Sequence, residues 1–582
     1  MCGIFTLIHQ PINFNSSFIK GEFEKGKGRG PEDSKLLHLG YEVTMGFHRL
    51  AINGLNSTSD QPLIFDNIVL ICNGEIYNYK ELFKQLDIEP YTESDCEIII
   101  HLYKQYGIEE TLTLLDGVFS FVLYDMNIVD NEPCKLFIAR DPLGVRPLYI
   151  LRPNNNSLIK EEETFFGVAS ELKMLTEFYN YSHFTDIHTL NSFTPGTYSR
   201  FEKSSQILSR WKETIVNKPY FLLNPSSSIS DIDLTDDYNF DHSIYRYGIQ
   251  HHLCTAVQKR YLTTERPIAC LLSGGLDSSL ITALVCQMHK EHSDVPIETY
   301  SIGLKNSEDL RYAKMVADYL GTNHTEIIIT EKQMIDAIPE VIYTIESYDT
   351  TTVRASIGNY LLGKFISQHS DAKVIFNGDG SDELCGGYLY MNKSPNALEF
   401  DNECRRLLKN ISFFDVLRSD KCISSHGLEP RTPFLDRSFV NYYLSIPSSI
   451  RFSNSNSKKC EKYLLRQSFS FVNYNFNDKP LLPDEILWRR KEAFSDGVSC
   501  NGRSLFTIIQ EYVNSLQLNM NFLPQCIINN PVTKEQKYYR GIFHYHYPNL
   551  EHVIPYFWMP KYVNATDPSA RTLEIYTSTD KC

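Results

Sequence analysis

The chain has 582 residues, more than one hydrophobic core usually holds, so we expect two large domains. Its formal net charge is −15 and no run is rich in lysine and arginine, which argues against nucleic acid or a membrane surface as partner and favours small molecules. There is no apolar stretch of about 18 residues and no secretory leader pattern, and the 14 cysteines include no C-x-x-C pair. We therefore predict a cytoplasmic protein with reduced thiols and no zinc site.

The first part of the chain, residues 2–212, alternates short apolar runs with turn residues, a pattern that predicts β-strands. The runs lie at 3–8, 43–47, 68–72, 118–125 and 136–139. Between them, the segment 97–106 places Ile98, Leu102 and Tyr106 on one helical face. We therefore predict a domain of mixed α and β structure.

Cys2 directly follows Met1, so removal of Met1 would make it both the N-terminal residue and a thiol nucleophile. The thiol can attack an amide carbon while its own α-amine, with an unperturbed pKa of about 7.7–8, carries the proton. The alternative is a chance cysteine after the initiator methionine.

An attacked amide needs donors for its oxyanion. Asn73 and Gly74, after the run 68–72, can supply a side-chain amide and a backbone N–H. Arg49 and Asp95 suit a substrate's carboxylate and ammonium. The alternative for the first two residues is an ordinary Asn-Gly turn.

The apolar pattern breaks down at residues 213–248, which are rich in Pro, Ser and Asn and then acidic at 231–237. We interpret this segment as a linker or surface insert. The predicted organisation is a first domain at 2–212, the linker at 213–248 and a second domain at 249–582.

In the second domain, strand patterns alternate with helical ones. The strand patterns lie at 268–272, 298–304, 325–330 and 373–377, and the helical patterns include 310–320 and a segment with Ile281, Leu284 and Met288 at helical spacing. Such alternation predicts a parallel sheet covered by helices, whose ligands bind beyond the carboxyl ends of the strands.

Two polar loops follow strands of this predicted sheet. In the first, residues 273–279, two glycines let the backbone approach an anion, and the following helix offers free N–H groups. Asp277 suits Mg²⁺, which prefers oxygen ligands and bridges phosphates. The second loop, 377–383, places carboxylates where a neighbouring strand would face the first. The alternative for the first loop is a glycine turn with Ser and Asp helix caps, and loops like the second are common turns.

Together these residues resemble the asparagine synthetase family, in which a class II glutamine amidotransferase with an N-terminal cysteine is fused to an ATP-pyrophosphatase synthetase domain. The resemblance covers nearly the whole chain. Its motifs lie at 1–4, 49–52, 73–75, 140–144, 273–279, 346–356, 380–383, 433–436, 491–498, 556–561 and 564–572. It implies an Ntn-type α/β/β/α sandwich followed by a helix-covered parallel sheet of the PP-loop type.

The resemblance also implies roles for individual residues. Cys2 is the glutaminase nucleophile, and Asn73 and Gly74 form the oxyanion hole. Glutamine is implied to contact these two residues together with Arg49, Leu50, Ala51, Ile52, Asn53, Glu75 and Asp95. ATP is implied to contact Leu271, Ser273, Gly274, Gly275, Asp277, Ser278, Ser279, Ile302, Asn377 and Gly378. Mg²⁺ is implied at Asp277 and Asp382, acyl-adenylate formation involves Asp379, and Lys462 lies near the activated aspartate and the diphosphate.

The sequence departs from the family pattern at three places. Asp379 stands where the family usually has Glu, so the carboxylate is one methylene shorter, and we predict adenylate formation that is retained but slower. The segment 213–248 is longer than expected, and residues 498–501 drift from the family pattern.

The implied reaction activates aspartate with Mg-ATP and captures ammonia released from glutamine. In the family, this ammonia passes from one active site to the other through an internal tunnel. Its substrates are glutamine, aspartate and ATP. For the oligomeric state, we expect a homodimer. Two alternatives stay open: a relative with another carboxylate acceptor, such as a β-lactam synthetase, and a degenerate homologue that only binds. The presence of Cys2 together with Arg49, Asn73, Gly74 and Asp95 argues against a β-lactam synthetase, which needs no glutaminase. The first polar loop argues against a phosphoribosyl or glucosamine-phosphate amidotransferase, which lacks such a loop.

Overall fold

The computed structural model describes residues 1–9, 14–40, 42–127, 133–154, 164–181, 184–203, 210–223, 242–453, 460–476, 478–491, 497, 503–516 and 528–569. The drifting motif at 498–501, the acidic run at 231–237 and residues 570–572 of the last family motif lie outside them. Among the helices that these residues form, none has the length and apolar character needed to cross a membrane.

The N-terminal domain contains two antiparallel sheets. Its strands are β1 (Gly3–Ile8), β2 (Asp33–Leu39), β3 (Val43–Arg49), β4 (Leu63–Phe65), β5 (Ile68–Ile76), β6 (Gly117–Asp125), β7 (Cys134–Arg140), β8 (Tyr149–Pro153), β9 (Phe166–Ala169), β10 (His188–Ser192), β11 (Thr197–Lys203) and β12 (Lys212–Pro219). The first sheet has the order β10-β8-β9-β1-β3-β2 and the second has the order β12-β11-β7-β6-β5-β4. Its α-helices are α1 (Ser16–Glu24), α2 (Tyr79–Leu86), α3 (Ile98–Leu114), α4 (Thr176–Tyr179) and α5 (Phe184–Ile187).

The two sheets pack face to face because their strands alternate in side-chain direction. In β1, Ile4 and Ile8 join a core cluster with residues of β5 such as Ile71. Phe5 and Leu7 belong to a second cluster, which includes residues of α1. Helices α2 and α3 cover the other face of the second sheet. The result is the α/β/β/α sandwich implied by the resemblance.

Most predicted strands of this domain are longer in the structure than their apolar runs. The run 68–72 continues to Ile76, and in β5 Asn73 pairs with Ser120 and Gly74 with Phe119 of β6. The alternative of an Asn-Gly turn is therefore wrong. The apolar pattern in the sequence did not predict residues 73–76 as part of the strand, because polar residues that are buried occupy this stretch.

The second domain is built on a parallel sheet. Its strands are β13 (Ile268–Leu271), β14 (Glu298–Leu304), β15 (Asn323–Ile329), β16 (Val374–Phe376) and β17 (Glu429–Arg431), in the order β15-β14-β13-β16-β17. A separate antiparallel pair is formed by β18 (Asn475–Phe476) and β19 (Lys479–Pro480). The predicted parallel sheet is confirmed, with strand bounds shifted by at most a few residues.

Helices cover both faces of this sheet. They are α6 (Ser243–Leu262), α7 (Leu276–Lys290), α8 (Glu308–Leu320), α9 (Glu331–Ile345), α10 (Thr350–His369), α11 (Ser381–Cys385), α12 (Ala397–Asn410), α13 (Asp415–Ser424), α14 (Arg437–Ser445), α15 (Ser448–Arg451), α16 (Tyr463–Ser468), α17 (Asp484–Leu487), α18 (Leu505–Ser515) and α19 (Lys534–His546). Residues of α9 and α10 pack with one face of β14, and residues of α6 and α7 pack with the opposite face of the sheet.

The chain runs outward from β13 to β15, then returns to place β16 on the other side of β13. The loops after β13 and β16 therefore diverge from a topological switch point, which is where ligands bind in open α/β sheets. These are the two polar loops identified in the sequence.

The predicted linker at 213–248 is wrong at both ends. Residues 213–219 belong to β12, which pairs with β11 in the second sheet, and α6 already begins at Ser243. Residues 224–241 lie outside the described part of the chain. Strand β12 lies at the exposed edge of the sheet, and its sequence contains no continuous apolar run. The sequence analysis therefore did not predict a strand there.

Candidate active sites

Cys2 lies immediately before β1, next to the buried Met1. Its Sγ donates a hydrogen bond to the Leu50 carbonyl at 3.6 Å, and its carbonyl accepts one from Nε of Arg29 at 2.9 Å. Burial raises the pKa of the Cys2 thiol and lowers the pKa of the Met1 amine. The thiol is therefore directed at the loop that carries the predicted glutamine-binding residues.

The predicted oxyanion residues lie on β5. Nδ2 of the fully buried Asn73 lies 3.5 Å from Oγ of Ser170, which also accepts a hydrogen bond from the N–H of Ile4 at 3.0 Å. A Cβ on Gly74 would lie 2.5 Å from the Val118 carbonyl oxygen, so the position requires glycine. Ser170, to which no motif pointed, thus links Asn73 to the strand that follows Cys2.

One buried carboxyl group, that of Glu75, belongs to this strand, and another, that of Asp95, lies beside it. Glu75 accepts a hydrogen bond from Nδ2 of Asn53 at 2.7 Å, and Asp95 accepts one from the N–H of Ile76 at 2.7 Å. Burial raises the pKa of Asp95 to about 6. Burial and the neighbouring Glu429 also raise the pKa of Glu75. An ammonium group bound here would favour the charged form of both carboxyls.

The last residue of β3 and the loop after this strand carry the other predicted glutamine residues. Arg49 pairs with Asp60 and donates to the Gly54 carbonyl, so a substrate carboxylate would share its guanidinium with these groups. Leu50 and Ile52 are buried in a core cluster that they share with the second domain.

In the second domain, the first polar loop connects β13 to α7. Oγ of Ser273 lies 2.9 Å from Oγ of Ser278, which also accepts from the Ser273 N–H at 3.2 Å. Gly274 has a φ of +70°, and a Cβ there would lie 2.4 Å from the Ala313 nitrogen. Gly275 precedes α7 without a side-chain cap, which leaves the first N–H groups of the helix available to an anion.

The second polar loop follows β16 and touches the first. Oγ of Ser381 donates to Oδ1 of Asp277 at 2.8 Å, and a Cβ on Gly378 would lie 2.7 Å from the Asp277 carbonyl carbon. The prediction that the two loops face each other from neighbouring strands is confirmed.

Two lysines lie between the predicted metal carboxylates. Nζ of Lys462 is 2.7 Å from Asp277 and 2.5 Å from Asp382, and Nζ of Lys491 is 2.5 Å from Asp382. Burial by itself would raise the pKa of the Asp382 carboxyl. The two ammonium groups outweigh this effect and hold the pKa of Asp382 below its usual range. Sequence reasoning gave Lys491 no role, although it opens a family motif.

The two carboxylates are the acidic part of this arrangement. No group of three or more His, Cys, Asp or Glu side chains able to hold a metal occurs in the described ranges. Asp277 and Asp382 contact the same ammonium nitrogen, at 2.7 and 2.5 Å, so the two carboxylates face a common point. A divalent ion here would take its remaining ligands from phosphate or water, which suits Mg²⁺.

Asp379 contacts an arginine of α13. Its Oδ1 lies 3.4 Å from Nη2 of Arg418, and the same nitrogen lies 2.6 Å from Oδ1 of Asp415. These two carboxylates raise the pKa of Arg418 despite its burial. Arg418 is a site residue that the sequence did not signal, since only the fold brings α13 beneath the second loop.

Most of the predicted nucleotide and aspartate residues line one cleft. They are Leu271, Ser273, Gly275, Asp277, Ser278, Ile302, Asn377, Gly378, Asp379, Asp382 and Lys462. Gly274 and Ser279 belong to the first loop but are not among the lining residues, and Ser279 is buried. Arg489 also lines the cleft, where it donates to the Gly274 carbonyl at 2.9 Å and pairs with Asp309.

The two sites are linked through buried charges at the domain interface. Arg431 of β17 lies 3.4 Å from Glu75 and 2.8 Å from Glu429, and β17 pairs with β16. Arg29, which donates to the Cys2 carbonyl, lies 2.8 Å from Asp420 of α13. The predicted glutamine pocket therefore touches the sheet and the helix that carry the second site.

Comparison with known proteins identifies both halves. Residues 1–212 match the family model of the glutamine amidotransferase domain, and residues 248–402 and 392–551 match that of asparagine synthase. Similar proteins include the glutamine-hydrolysing asparagine synthetases of Gallus gallus, 41% identical over 99% of both chains, of Cricetulus griseus, 39% identical over 100% of both, and of Homo sapiens, 37% identical over 100% of both.

The fold and the two sites define a two-domain amidotransferase whose second domain is an ATP-dependent ligase. With matches of this length and identity, the chain belongs to the asparagine synthetase family.

Proposed function

We propose that this protein is a glutamine-dependent asparagine synthetase, which converts aspartate, glutamine, ATP and water to asparagine, glutamate, AMP and diphosphate. The observation that carries the proposal is the meeting of the two polar loops at the switch point of the parallel sheet, in one chain whose Cys2 thiol contacts the Leu50 carbonyl. The full-length similarity to asparagine synthetases supports aspartate as the acceptor.

The glutaminase half begins after removal of Met1. The Cys2 thiolate attacks the side-chain amide carbon of glutamine, and the Cys2 α-amine carries the proton to the leaving ammonia. Nδ2 of Asn73 and the N–H of Gly74 stabilise the oxyanion. Arg49 and the carboxylates of Glu75 and Asp95 hold the carboxylate and ammonium of glutamine. Water then hydrolyses the thioester to glutamate.

In the second half, the β-carboxylate of aspartate attacks the α-phosphorus of ATP, and the bond to the bridging oxygen breaks to release diphosphate. The first polar loop holds the phosphates through its N–H groups and through Ser273 and Ser278. Lys462 neutralises negative charge on the diphosphate, and Asp379 with Arg418 orients the acyl-adenylate. Ammonia then attacks the acyl carbon and AMP leaves.

Asp277 and Asp382 are the residues that would hold Mg²⁺, which supplies charge neutralisation of the polyphosphate when bound.

The decisive experiment measures asparagine and AMP from aspartate and Mg-ATP, with glutamine or ammonium as nitrogen source, in the native protein and in Cys2→Ala. We expect the native protein to use both sources and Cys2→Ala only ammonium. ATP cleavage to AMP without asparagine from either source would mean that the acceptor is not aspartate.

Two further parts of the proposal concern the protein in the cell. The cysteines of the described ranges are thiols rather than disulfides, which supports a reducing compartment such as the cytoplasm. A homodimer is proposed and is tested by light scattering, which would give twice the chain mass of 67.2 kDa.

A further inference from the structure

The loop that carries the predicted glutamine residues is held from outside its own domain. The segment Glu265–Arg266, just before β13 of the second domain, makes hydrogen bonds to this loop. Glu265 is exposed and Arg266 is half-buried, and neither lines the adenylating cleft, the cleft between the two polar loops. Nothing in the proposed mechanism uses them.

Arg266 makes two contacts with the loop. Its Nε donates to the Ala51 carbonyl at 2.8 Å, and its Nη2 pairs with Oε1 of Glu32 at 2.7 Å. The other carboxylate oxygen of Glu32 accepts the Ala51 N–H at 2.7 Å. That N–H and the Leu50 carbonyl belong to the same planar peptide group. Since Sγ of Cys2 donates to this carbonyl, Arg266 fixes the peptide that the thiol contacts.

Glu265 holds the next part of the loop. Its N–H donates to the Ile52 carbonyl at 3.0 Å, and its Oε1 accepts the Gly54 N–H at 3.1 Å. Between these two bonds lies Asn53, whose side chain donates to Glu75. The backbone on either side of Asn53 is therefore held by the second domain.

The same segment leads through β13 to the first polar loop, which lines the cleft of the second domain. The Pro267 carbonyl accepts the Lys373 N–H at 3.0 Å, at the start of β16, and β13 itself begins at Ile268. From Arg266 to Ser273 an extended chain spans about 20 Å. One short segment thus contacts the glutamine loop at one end and leads to the first polar loop at the other.

We propose that Glu265 and Arg266 are positioning residues for the glutaminase reaction, which set the loop 50–54 in its glutamine-binding conformation only while the two domains are docked. This inference rests on the proposed function, because it concerns the use of glutamine by that site. It makes glutamine affinity a property of the assembled two-domain protein.

The test compares Arg266→Ala and Glu265→Gln with native full-length protein. We expect Arg266→Ala to raise the glutamine KM by about tenfold, as for loss of a hydrogen bond from a charged donor. We also expect its ammonium-dependent activity and thermal midpoint to stay near the native values. Glu265→Gln keeps the backbone bond and should raise KM less. Arg266→Lys retains a charge for Glu32 and should recover part of the loss.

The matched control is Arg503→Ala. Arg503 is a partly exposed arginine that also pairs with two carboxylates, Glu331 and Glu511, outside both sites. It should leave the glutamine KM unchanged.

Each outcome decides one question. If native protein makes asparagine from both sources and Arg266→Ala keeps its glutamine KM within twofold, the positioning role is wrong. Equal loss of both activities in Arg266→Ala would show a general structural role and also overturn it. If native protein makes no asparagine from either source, the proposed function fails first.

Discussion

At the residue scale, Asp379 is the departure with the clearest consequence. Its carboxylate reaches Arg418 only at 3.4 Å, whereas Asp415 lies 2.6 Å from the same nitrogen. We predict that Asp379→Glu speeds aspartate-dependent exchange of diphosphate into ATP by about three- to tenfold, because the longer side chain restores reach. Asp415→Glu is the matched control and should give no gain. An unchanged exchange rate in Asp379→Glu would contradict the prediction.

Asp95 carries a pH-dependent cost to stability. Its folded pKa of about 6 lies above the ordinary value of 3.8, so burial of the charged form opposes folding at high pH. The cost is absent below about pH 4, grows as the pH rises to about 6, and reaches at most about 3 kcal/mol. Asp95→Asn should therefore raise the thermal midpoint at pH 7.5 and not at pH 4, while glutamine use falls and ammonium use remains. A midpoint gain that is equal at both pH values would contradict this cause.

The two lysines beside the carboxylates proposed to hold Mg²⁺ predict coupled binding of cation and nucleotide. Lys462 pairs with Asp277 and Asp382, and Lys491 pairs with Asp382, so a cation bound there would compete with these two ammonium groups. We expect Mn²⁺, followed by its free-ion paramagnetic signal, to bind at least about tenfold more tightly with a non-hydrolysable ATP analogue than alone. Lys491→Gln should bind Mn²⁺ alone better than native protein, and the exposed Lys332→Gln should not. Equal affinity with and without nucleotide would refute the coupling.

At the scale of elements, the turn between β13 and α7 depends on glycine. Gly274 combines a φ of +70° with a close approach to the Ala313 nitrogen. Gly321, which ends α8, has a φ of +73°, but a Cβ there would have no heavy atom within 4 Å.

This pair gives a matched test. Gly274→Ala should displace the loop and weaken ATP binding by more than about tenfold, measured by calorimetry, while glutaminase activity remains. Gly321→Ala carries the same backbone cost of about 1 kcal/mol without the clash, and should keep ATP affinity. Equal ATP affinity in the two variants would show that the close approach does not shape the site.

At the scale of the whole molecule, the domains meet through buried ion pairs. Asp420 of α13 lies 2.8 Å from Arg29 and 3.3 Å from Arg146, both of the first domain, and all three side chains are buried. We predict that Asp420→Asn destabilises the interface by about 3 kcal/mol, because it leaves two buried cations undercompensated.

Thermal unfolding followed by calorimetry checks this prediction. The midpoint should fall clearly in Asp420→Asn, and glutamine-dependent activity should fall more than ammonium-dependent activity. Asp336→Asn, which removes one partner of an exposed pair with Lys332 on α9, should change the midpoint little. Equal effects of the two variants would mean that the buried pairs contribute no more than surface ones.

The sequence by itself determined the features that depend on short segments: the two-domain organisation and the strand that ends at each polar loop. Glycine turns and side-chain periodicity are local, so their patterns survive in the sequence. It missed the polar continuation of β5 through Asn73 and Gly74, because buried polar residues break the apolar period.

The tertiary structure alone decided how distant segments meet. Arg418 reaches Asp379 because α13 packs against β17, the strand beside β16, and Arg266 reaches Ala51 across 215 positions of sequence. Lys491 lies against Asp382 for the same reason. These contacts depend on how helices and domains dock, and docking is set by the complementary shape and charge of whole surfaces. No single stretch of sequence contains that information.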